Sequence, residues 1–221
     1  MLKNVAEYNK YRHVDPTLAF QAPSNQFPMR HEENQYLNLI DDILSEGVKE
    51  EGRNGATLVA VGAAMHFSLN GRCVPFLTTK RLAWKTCLKE LLWFIRGQTD
   101  NALLQAQGVH IWDGNASANG DLGPIYGFQW RNFGGEYPAT DTSRKGVDQL
   151  QLVIDALKDP EQRTSRRILI SSWNPCQLPE MALPPCHVLA QFHVTDGTRL
   201  SCSLYQRSGD VGLGVPFNIA S

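Results

Sequence analysis

The sequence predicts an α+β fold, a mixed β-sheet layer packed with helices. Three observations carry this expectation. Apolar residues recur at helical spacing along 36–44 and again along 84–95. Between and after these stripes lie short β-branched and apolar runs of strand length, bounded by turn residues. Strands and helices are interspersed without regular strand–helix–strand alternation, which argues against a doubly wound parallel sheet.

Residues 1–31 lack periodicity and contain Pro16, Pro23 and Pro28, so they read as an extension or linker. A domain covering 32–221 follows. Tyr36, Leu37, Ile40, Ile43 and Leu44 form one face of a helix that Gly47 is placed to end. Residues 57–62 and 65–69 read as strands, and Asn70-Gly71 is a good hairpin turn because both residues tolerate positive φ. Residues 84–96 predict a strong helix whose face is Trp84, Leu88, Leu91, Leu92 and Ile95, with Gly97 as the stop. A second amphipathic helix is expected at 147–157 and a strand at 167–173. Strands at 187–194 and 199–207 are joined by the turn Thr195-Asp196-Gly197-Thr198. The sequence closes on what reads as a helix start, with Asn218 near the cap.

Composition narrows the function classes. The formal net charge is −1, from 21 basic and 22 acidic residues, so the overall field does not favour nucleic acid or an anionic membrane. A local anion site needs only a few converging arginines. Five cysteines, at 73, 87, 176, 186 and 202, fit neither paired zinc ligands nor a disulfide scaffold. Free thiols in a reducing compartment are the expectation, with no metal. No secretory leader and no membrane-spanning run is visible in the sequence. A cytoplasmic enzyme is expected, with the nucleus or mitochondrion as alternatives.

Few residue types here carry chemistry. In Pro184-Pro185-Cys186-His187 two prolines fix the backbone approach to a cysteine that a histidine follows. Cys186 reads either as a small buried hydrophobe or as a nucleophile whose thiolate is favoured by a nearby imidazole. Glu90 sits inside an apolar helix and reads either as a solvated carboxylate or as one held in a cleft with a tuned pKa. Arg53, Arg166, Arg167 and Arg207 read singly as surface charges. With Ser208 they could together cradle a phosphate, because guanidinium forks match its oxygens.

Several ordered stretches go further: Thr78-Thr79-Lys80-Arg81, Glu90-Leu91-Leu92-Trp93-Phe94, Ile111-Trp112-Asp113-Gly114-Asn115 and the DLGPIYG run at 121–127. Ser165-Arg166-Arg167, the MALPPCH run at 181–187, Leu204-Tyr205-Gln206-Arg207-Ser208 and the DVGLGVPFNIAS run at 210–221 complete the series. Taken together they resemble the thymidylate synthase family across nearly all of residues 32–221. The wording at 212–214 and Asn115 are closer to eukaryotic or protozoal members than to bacterial ones.

The resemblance implies an enzyme that methylates dUMP to dTMP with 5,10-methylenetetrahydrofolate, releasing dihydrofolate. It implies that Cys186 attacks C6 of the pyrimidine, that Glu90 organises proton transfers, and that Tyr126 and His187 support the network near the ring. It places dUMP against Arg53, Gln206, Arg207, Ser208, Asp210 and Asn218, with Arg166 and Arg167 supplied by the second subunit of a homodimer that packs through a sheet face. It places the folate against Lys80, Trp112, Asn115, Asp210 and Gly214. The loop at Arg53 is one residue shorter than the family's Arg-Thr-Gly-x-Gly-Thr, and Gly209 stands where the family has cysteine. The family continues past the position of Ser221 with a core helix, a His-x-Tyr motif and a closing tail, so a fragment is expected. Residues 1–31 read as an extension or linker, one alternative being the remnant of a linker from an upstream dihydrofolate reductase. Two other readings share these residues: a deoxyuridylate hydroxymethylase, and a non-catalytic nucleotide-binding paralogue.

Overall fold

The computed structural model describes residues 31–52 and 55–220. The expected extension at 1–30 and Arg53 lie outside the described residues. The chain divides into two compact units, one up to Pro75 and one from Phe76.

In the first unit, helix α1 (Asn34–Glu46) buries Tyr36 and ends at Gly47, whose amide closes onto the Ile43 carbonyl at 3.0 Å. Strands β1 (Val48–Gly52) and β2 (Gly55–Val59) pair antiparallel, with Val48 opposite Val59 and Gly52 opposite Gly55. The expected strands at 57–62 and 65–69 are therefore corrected. The second strand of the hairpin starts earlier, and its partner is the charged Val48–Gly52 segment, which precedes it. Residues 65–69 form no strand, because their backbone groups are bound by side chains around α1. The His66 amide donates to Gln35 Oε1 (2.8 Å), Gln35 Nε2 donates to the His66 carbonyl (2.6 Å), and the Ser68 amide donates to Glu32 Oε2 (2.8 Å). With no strand to turn, Asn70–Arg72 is a single 3₁₀ turn instead of a hairpin loop.

In the second unit, α2 (Trp84–Ile95) stops where Gly97 takes φ 73° and the Gln98 amide reaches back to the Trp93 carbonyl at 3.2 Å. Its buried residues are Cys87, Trp93 and Phe94, while Trp84, Leu88, Leu92 and Ile95 are substantially exposed. The face expected to pack is thus largely the one left open. The helix is apolar around most of its circumference, and an aromatic cluster contributed by distant segments selects the other side. That cluster joins Trp93 and Phe94 to Trp112 and Tyr126, and also gathers Leu104, Val109, Leu122, Ile125 and Met181.

Helix α3 (Ala102–Gln105) and helix α4 (Tyr126–Asn132) complete the frame of this core. The chain enters α4 through Gly123, at φ 73°, where a Cβ would collide with the Glu180 carbonyl. Helix α5 (Gln149–Lys158) is capped by Asp148, whose Oδ1 accepts from the Gln151 amide at 2.9 Å. Its Val153 packs with Ile168 and Ile170 in a second small core.

Strands β3 (Leu169–Ser171), β4 (His187–Thr195) and β5 (Arg199–Gln206) form one antiparallel sheet in the order β3-β4-β5. The β4–β5 turn uses Asp196 and Gly197 at positive φ, as its sequence predicts. Nearly every residue of β5 is exposed, including Leu200, Leu204 and Tyr205. Helix α6 (Gly214–Ala220) begins four residues before Asn218, so Asn218 lies inside the helix and is not its cap. Asp210 serves the start instead. Its Oδ1 accepts from the Leu213 amide at 2.6 Å and its carbonyl from the Val215 amide at 2.8 Å.

Candidate active site

Cys186 stands where the Pro184-Pro185 segment enters β4, and two elements fix it there. From α4, the buried Tyr126 hydroxyl accepts the Cys186 amide at 2.7 Å and the His187 amide at 3.4 Å. From the end of β5, Arg207 donates through Nε to the Pro185 carbonyl and through Nη2 to the Pro184 carbonyl, both at 2.9 Å. The same Nη2 lies 3.9 Å from Cys186 Sγ, and the guanidinium sits 5.7 Å from the centre of the Trp173 ring. The Arg207 amide completes the clamp by donating to the Cys186 carbonyl at 3.1 Å.

Four further side chains continue from this point. The Tyr126 ring lies 5.6 Å from His187 and 6.2 Å from Trp112, centre to centre. The Trp112 indole N–H donates to Glu90 Oε1 at 2.7 Å. Asn218 on α6 hydrogen-bonds the His187 side chain. Glu90, Trp112, Tyr126, His187 and Asn218 therefore form one run of neighbours that ends beside the cysteine.

Burial sets the electrostatics of this run. It pushes the Glu90 carboxyl up to about 7, against the Trp112 hydrogen bond, which favours the ionised form. Glu90 is thus the held carboxylate of the two alternatives and not a solvated one. Burial, and then the charge of Glu90, pushes the Cys87 thiol one turn earlier up to about 11, so that sulfur stays protonated. Burial, with the nearby Cys186 next, pushes the Tyr126 phenol up to about 12. Burial lowers His187 below the ordinary histidine value, and its bond to Asn218 only partly offsets this. The imidazole is neutral at pH 7.

Residues 34–221 match the family model described as thymidylate synthase. The chain belongs to the thymidylate synthase family. It is 54% identical over 208 residues to a bifunctional dihydrofolate reductase-thymidylate synthase of Zea mays, covering 87% of this chain and 39% of that protein. It is 51% identical over 210 residues to the bifunctional protein of Leishmania major, covering 88% of this chain and 40% of that one. It is 53% identical over 207 residues to a thymidylate synthase of Equine herpesvirus 2, covering 86% of this chain and 70% of that protein. The chain thus spans about two fifths of the bifunctional relatives.

Within this thymidylate synthase domain the remaining expected residues are dispersed. Arg166 and Arg167 are exposed ahead of β3, and no hydrogen bond or ion pair holds either guanidinium among the described residues. Ser208 and Asp210 are exposed beyond β5, and Gln206 is half-buried with its Nε2 unpartnered among the described residues. Lys80 is half-buried in the loop before α2, and Gly214 opens α6. Asn115 is exposed and lines an open cleft of about 490 Å³ with Ser117, Asp121, Tyr137, Glu180 and Met181. Trp112, expected to pack on folate, is a core residue whose indole N–H donates to Glu90. Gly209 lies where a Cβ would come within 3.0 Å of Val215 Cγ2, so the departure from cysteine suits this chain's own packing.

Sequence reasoning missed Trp173 beneath Arg207 and the pairing of Trp112 with Glu90. Neither has a local signal, since each pair is separated by more than twenty residues. No group of His, Cys, Asp and Glu able to hold a metal occurs among the described residues, and none of their helices is long and apolar enough to cross a membrane. All five cysteines are free.

Proposed function

We propose that this chain provides the catalytic domain of a thymidylate synthase that converts dUMP to dTMP with 5,10-methylenetetrahydrofolate. The observation that carries the reading is the seat of Cys186, a sulfur held 3.9 Å from a guanidinium at one end of a run that leads to a carboxyl group of pKa about 7.

In this reading Cys186 Sγ bonds to C6 of the pyrimidine, and the ring's electron pair passes to C5. C5 bonds to the one-carbon unit of the folate. Loss of the C5 proton and of the tetrahydrofolate leaving group gives an exocyclic methylene, which takes a hydride from the same folate as the Cys186–C6 bond breaks. The products are dTMP and dihydrofolate. Arg207 supplies positive charge where the thiolate forms and where the phosphate arrives. Glu90, near half-ionised at neutral pH, both gives and takes protons through the space beside Tyr126 and His187. Asn218 carries a donor and an acceptor for the N3–H and O4 edge of uracil.

The expected homodimer belongs to this reading. Arg166 and Arg167, exposed and unheld among the described residues, complete the phosphate cradle of the neighbouring subunit, and the open sheet face around β5 supplies the contact. Lys80, Asn115, Asp210 and Gly214 lie along the folate. Fusion to an upstream dihydrofolate reductase, as named for the maize and Leishmania relatives, would consume the dihydrofolate formed.

Covalent trapping tests the reading. The complete protein, incubated with 5-fluoro-dUMP and the methylene folate, is expected to form a stable adduct on the peptide containing Cys186. Adduct formation on Cys176 or Cys202, or its persistence in Cys186→Ser, overturns the assignment. Formation of hydroxymethyl product from dUMP would favour the hydroxymethylase instead.

A further inference from the structure

Outside the run from Glu90 to Cys186, one polar cluster does work that the proposed reaction does not use. Asp113 is exposed, yet it accepts three side-chain hydrogen bonds. Asn101 Nδ2 and Gln105 Nε2 donate to its Oδ1 at 2.8 and 2.9 Å, and His110 Nδ1 lies 2.9 Å from its Oδ2. These bonds hold the carboxyl of Asp113 below the usual aspartate range, that of Gln105 contributing most. Asn101 is 1% exposed, and among the described residues Asp113 takes its Nδ2 while its Oδ1 has no partner.

The cluster ties a turn to a helix. Asn101 and Gln105 bracket α3, while His110 and Asp113 belong to the turn that also holds Trp112. That turn is otherwise closed by its own backbone, through the Asp113 amide on the His110 carbonyl and the Asn115 amide on the Trp112 carbonyl. Trp112 is the immediate neighbour of Asp113 and delivers its N–H to Glu90 at 2.7 Å.

We propose that Asp113 is a positioning residue for Glu90: its carboxylate pins the turn that carries Trp112 and so fixes the indole N–H that Glu90 receives. The proposal rests on the reading of Glu90 as the proton relay. Among the described residues, the titratable groups whose protonation feels the Glu90 charge are Cys87 on its own helix and Tyr126 on α4. Cys87 stays protonated and Tyr126 stays neutral near pH 7, so the indole N–H is the donor through which the turn acts on the carboxylate. Withdrawing it favours the protonated acid. Asp113 touches neither Glu90 nor the cysteine and acts only through Trp112.

The test follows the Trp112 indole N–H signal in ¹⁵N-labelled protein from about pH 5 to about pH 9, assigned by its loss in Trp112→Phe. The signal is expected to titrate with Glu90 and to stop titrating in Glu90→Gln. In Asp113→Ala the midpoint moves to higher pH. Turnover of the complete protein at neutral pH falls roughly three- to tenfold and recovers as pH is raised. A fall in turnover that is equal at all pH, with an unmoved midpoint, makes Asp113 merely structural and overturns the proposal. Gln105→Ala, at an exposed position, should move the midpoint the same way by less, and it decides the matter if Asp113→Ala does not fold. Full turnover in Glu90→Gln defeats the relay role of Glu90 but leaves the midpoint shift intact, so the two failures are distinguishable.

Discussion

The seat of Cys186 and the arginines ahead of β3 differ in how far the chain itself has assembled them. Around Cys186 one unit brings together residues from five elements, and most polar contacts are satisfied within it. Tyr126 takes two amides, Arg207 takes three groups of the Pro184–Cys186 segment, and Trp112 takes Glu90. Among the described residues Arg166 and Arg167 have nothing comparable, and they stand exposed. The difference reflects chemistry. A tuned carboxyl requires removal from water, which only a packed core can provide. A phosphate-binding guanidinium keeps its charge anywhere, so it can wait at a surface for the anion.

The comparison predicts the largest damage where the seat carries the chemistry, less where it only supports it, and least at the exposed arginines. The largest effect belongs to the sulfur itself. Cys186→Ser is expected to lower kcat by about 10⁴-fold or more, since a hydroxyl at neutral pH cannot replace a thiolate without a dedicated base. The melting temperature should barely move. A residual rate within tenfold of wild type would remove Cys186 from the mechanism.

Glu90→Gln comes next, with opposite effects on rate and stability. Turnover should fall by roughly 10²- to 10³-fold through loss of proton transfer. The folded carboxyl titrates near 7 and the unfolded one near 4.5. Between those values the unfolded chain has lost its proton and the folded one has kept it, so stability falls as pH rises through this window and stays reduced above it. Gln carries no charge to bury. The variant should therefore gain stability of the order of 2 kcal/mol at about pH 8 and gain none at about pH 4, after discounting for water around a half-buried group. Urea midpoints at the two pH values measure this. A variant less stable at the higher pH would show that the carboxylate is favourably held.

How much of this was legible beforehand depended on whether the cause was local. The end of α2 at Gly97 and the β4–β5 turn could be read because both are set by residues in sequence contact. The buried face of α2 could not, because Trp93 and Phe94 are chosen over Leu88 and Leu92 by aromatic rings from Trp112 and Tyr126. Helix α4 gave little signal, since its Gln129 is a core residue whose polar groups are met by the Pro124 carbonyl, Asn174 and Gln177. In the site, Cys186 read either as a buried hydrophobe or as a nucleophile from its own neighbours, and only the family resemblance chose between them. Glu90 stayed ambiguous between solvent and cleft until Trp112, 22 residues on, was found against it.

Tyr126→Phe probes the support of the seat while leaving its chemistry in place. Two amides lose their acceptor while the ring still fills the core, so a loss of about 1–2 kcal/mol of stability is expected. With the Cys186 segment less firmly held, kcat should fall by roughly tenfold to 10²-fold, with a smaller change in the KM for dUMP. A change confined to KM would place Tyr126 in substrate binding alone.

The arginines should give the smallest effects, of a different kind. Arg166→Ala removes an exposed side chain with no partner among the described residues, so stability should stay within about 0.5 kcal/mol. The KM for dUMP should rise about tenfold, with kcat changed much less, because a distant phosphate contact binds ground and transition states alike. Raising the salt concentration should narrow the gap between wild type and variant, since an exposed charge pair is screened. Mixing sharpens the comparison. A chain carrying both Arg166→Ala and Arg167→Ala, made weak at low dUMP, is combined with the inactive Cys186→Ser chain of the complete protein. If the arginines serve the neighbouring subunit, half of the dimers are mixed. Each has one site with an intact cysteine and intact arginines, and about a quarter of wild-type activity returns. If the arginines serve their own chain, mixing gives only the sum of the two parents, and the exposed pair would have to reach a phosphate bound beside its own Arg207. The contrast between a seat built by one chain and a cradle completed by another would then be lost.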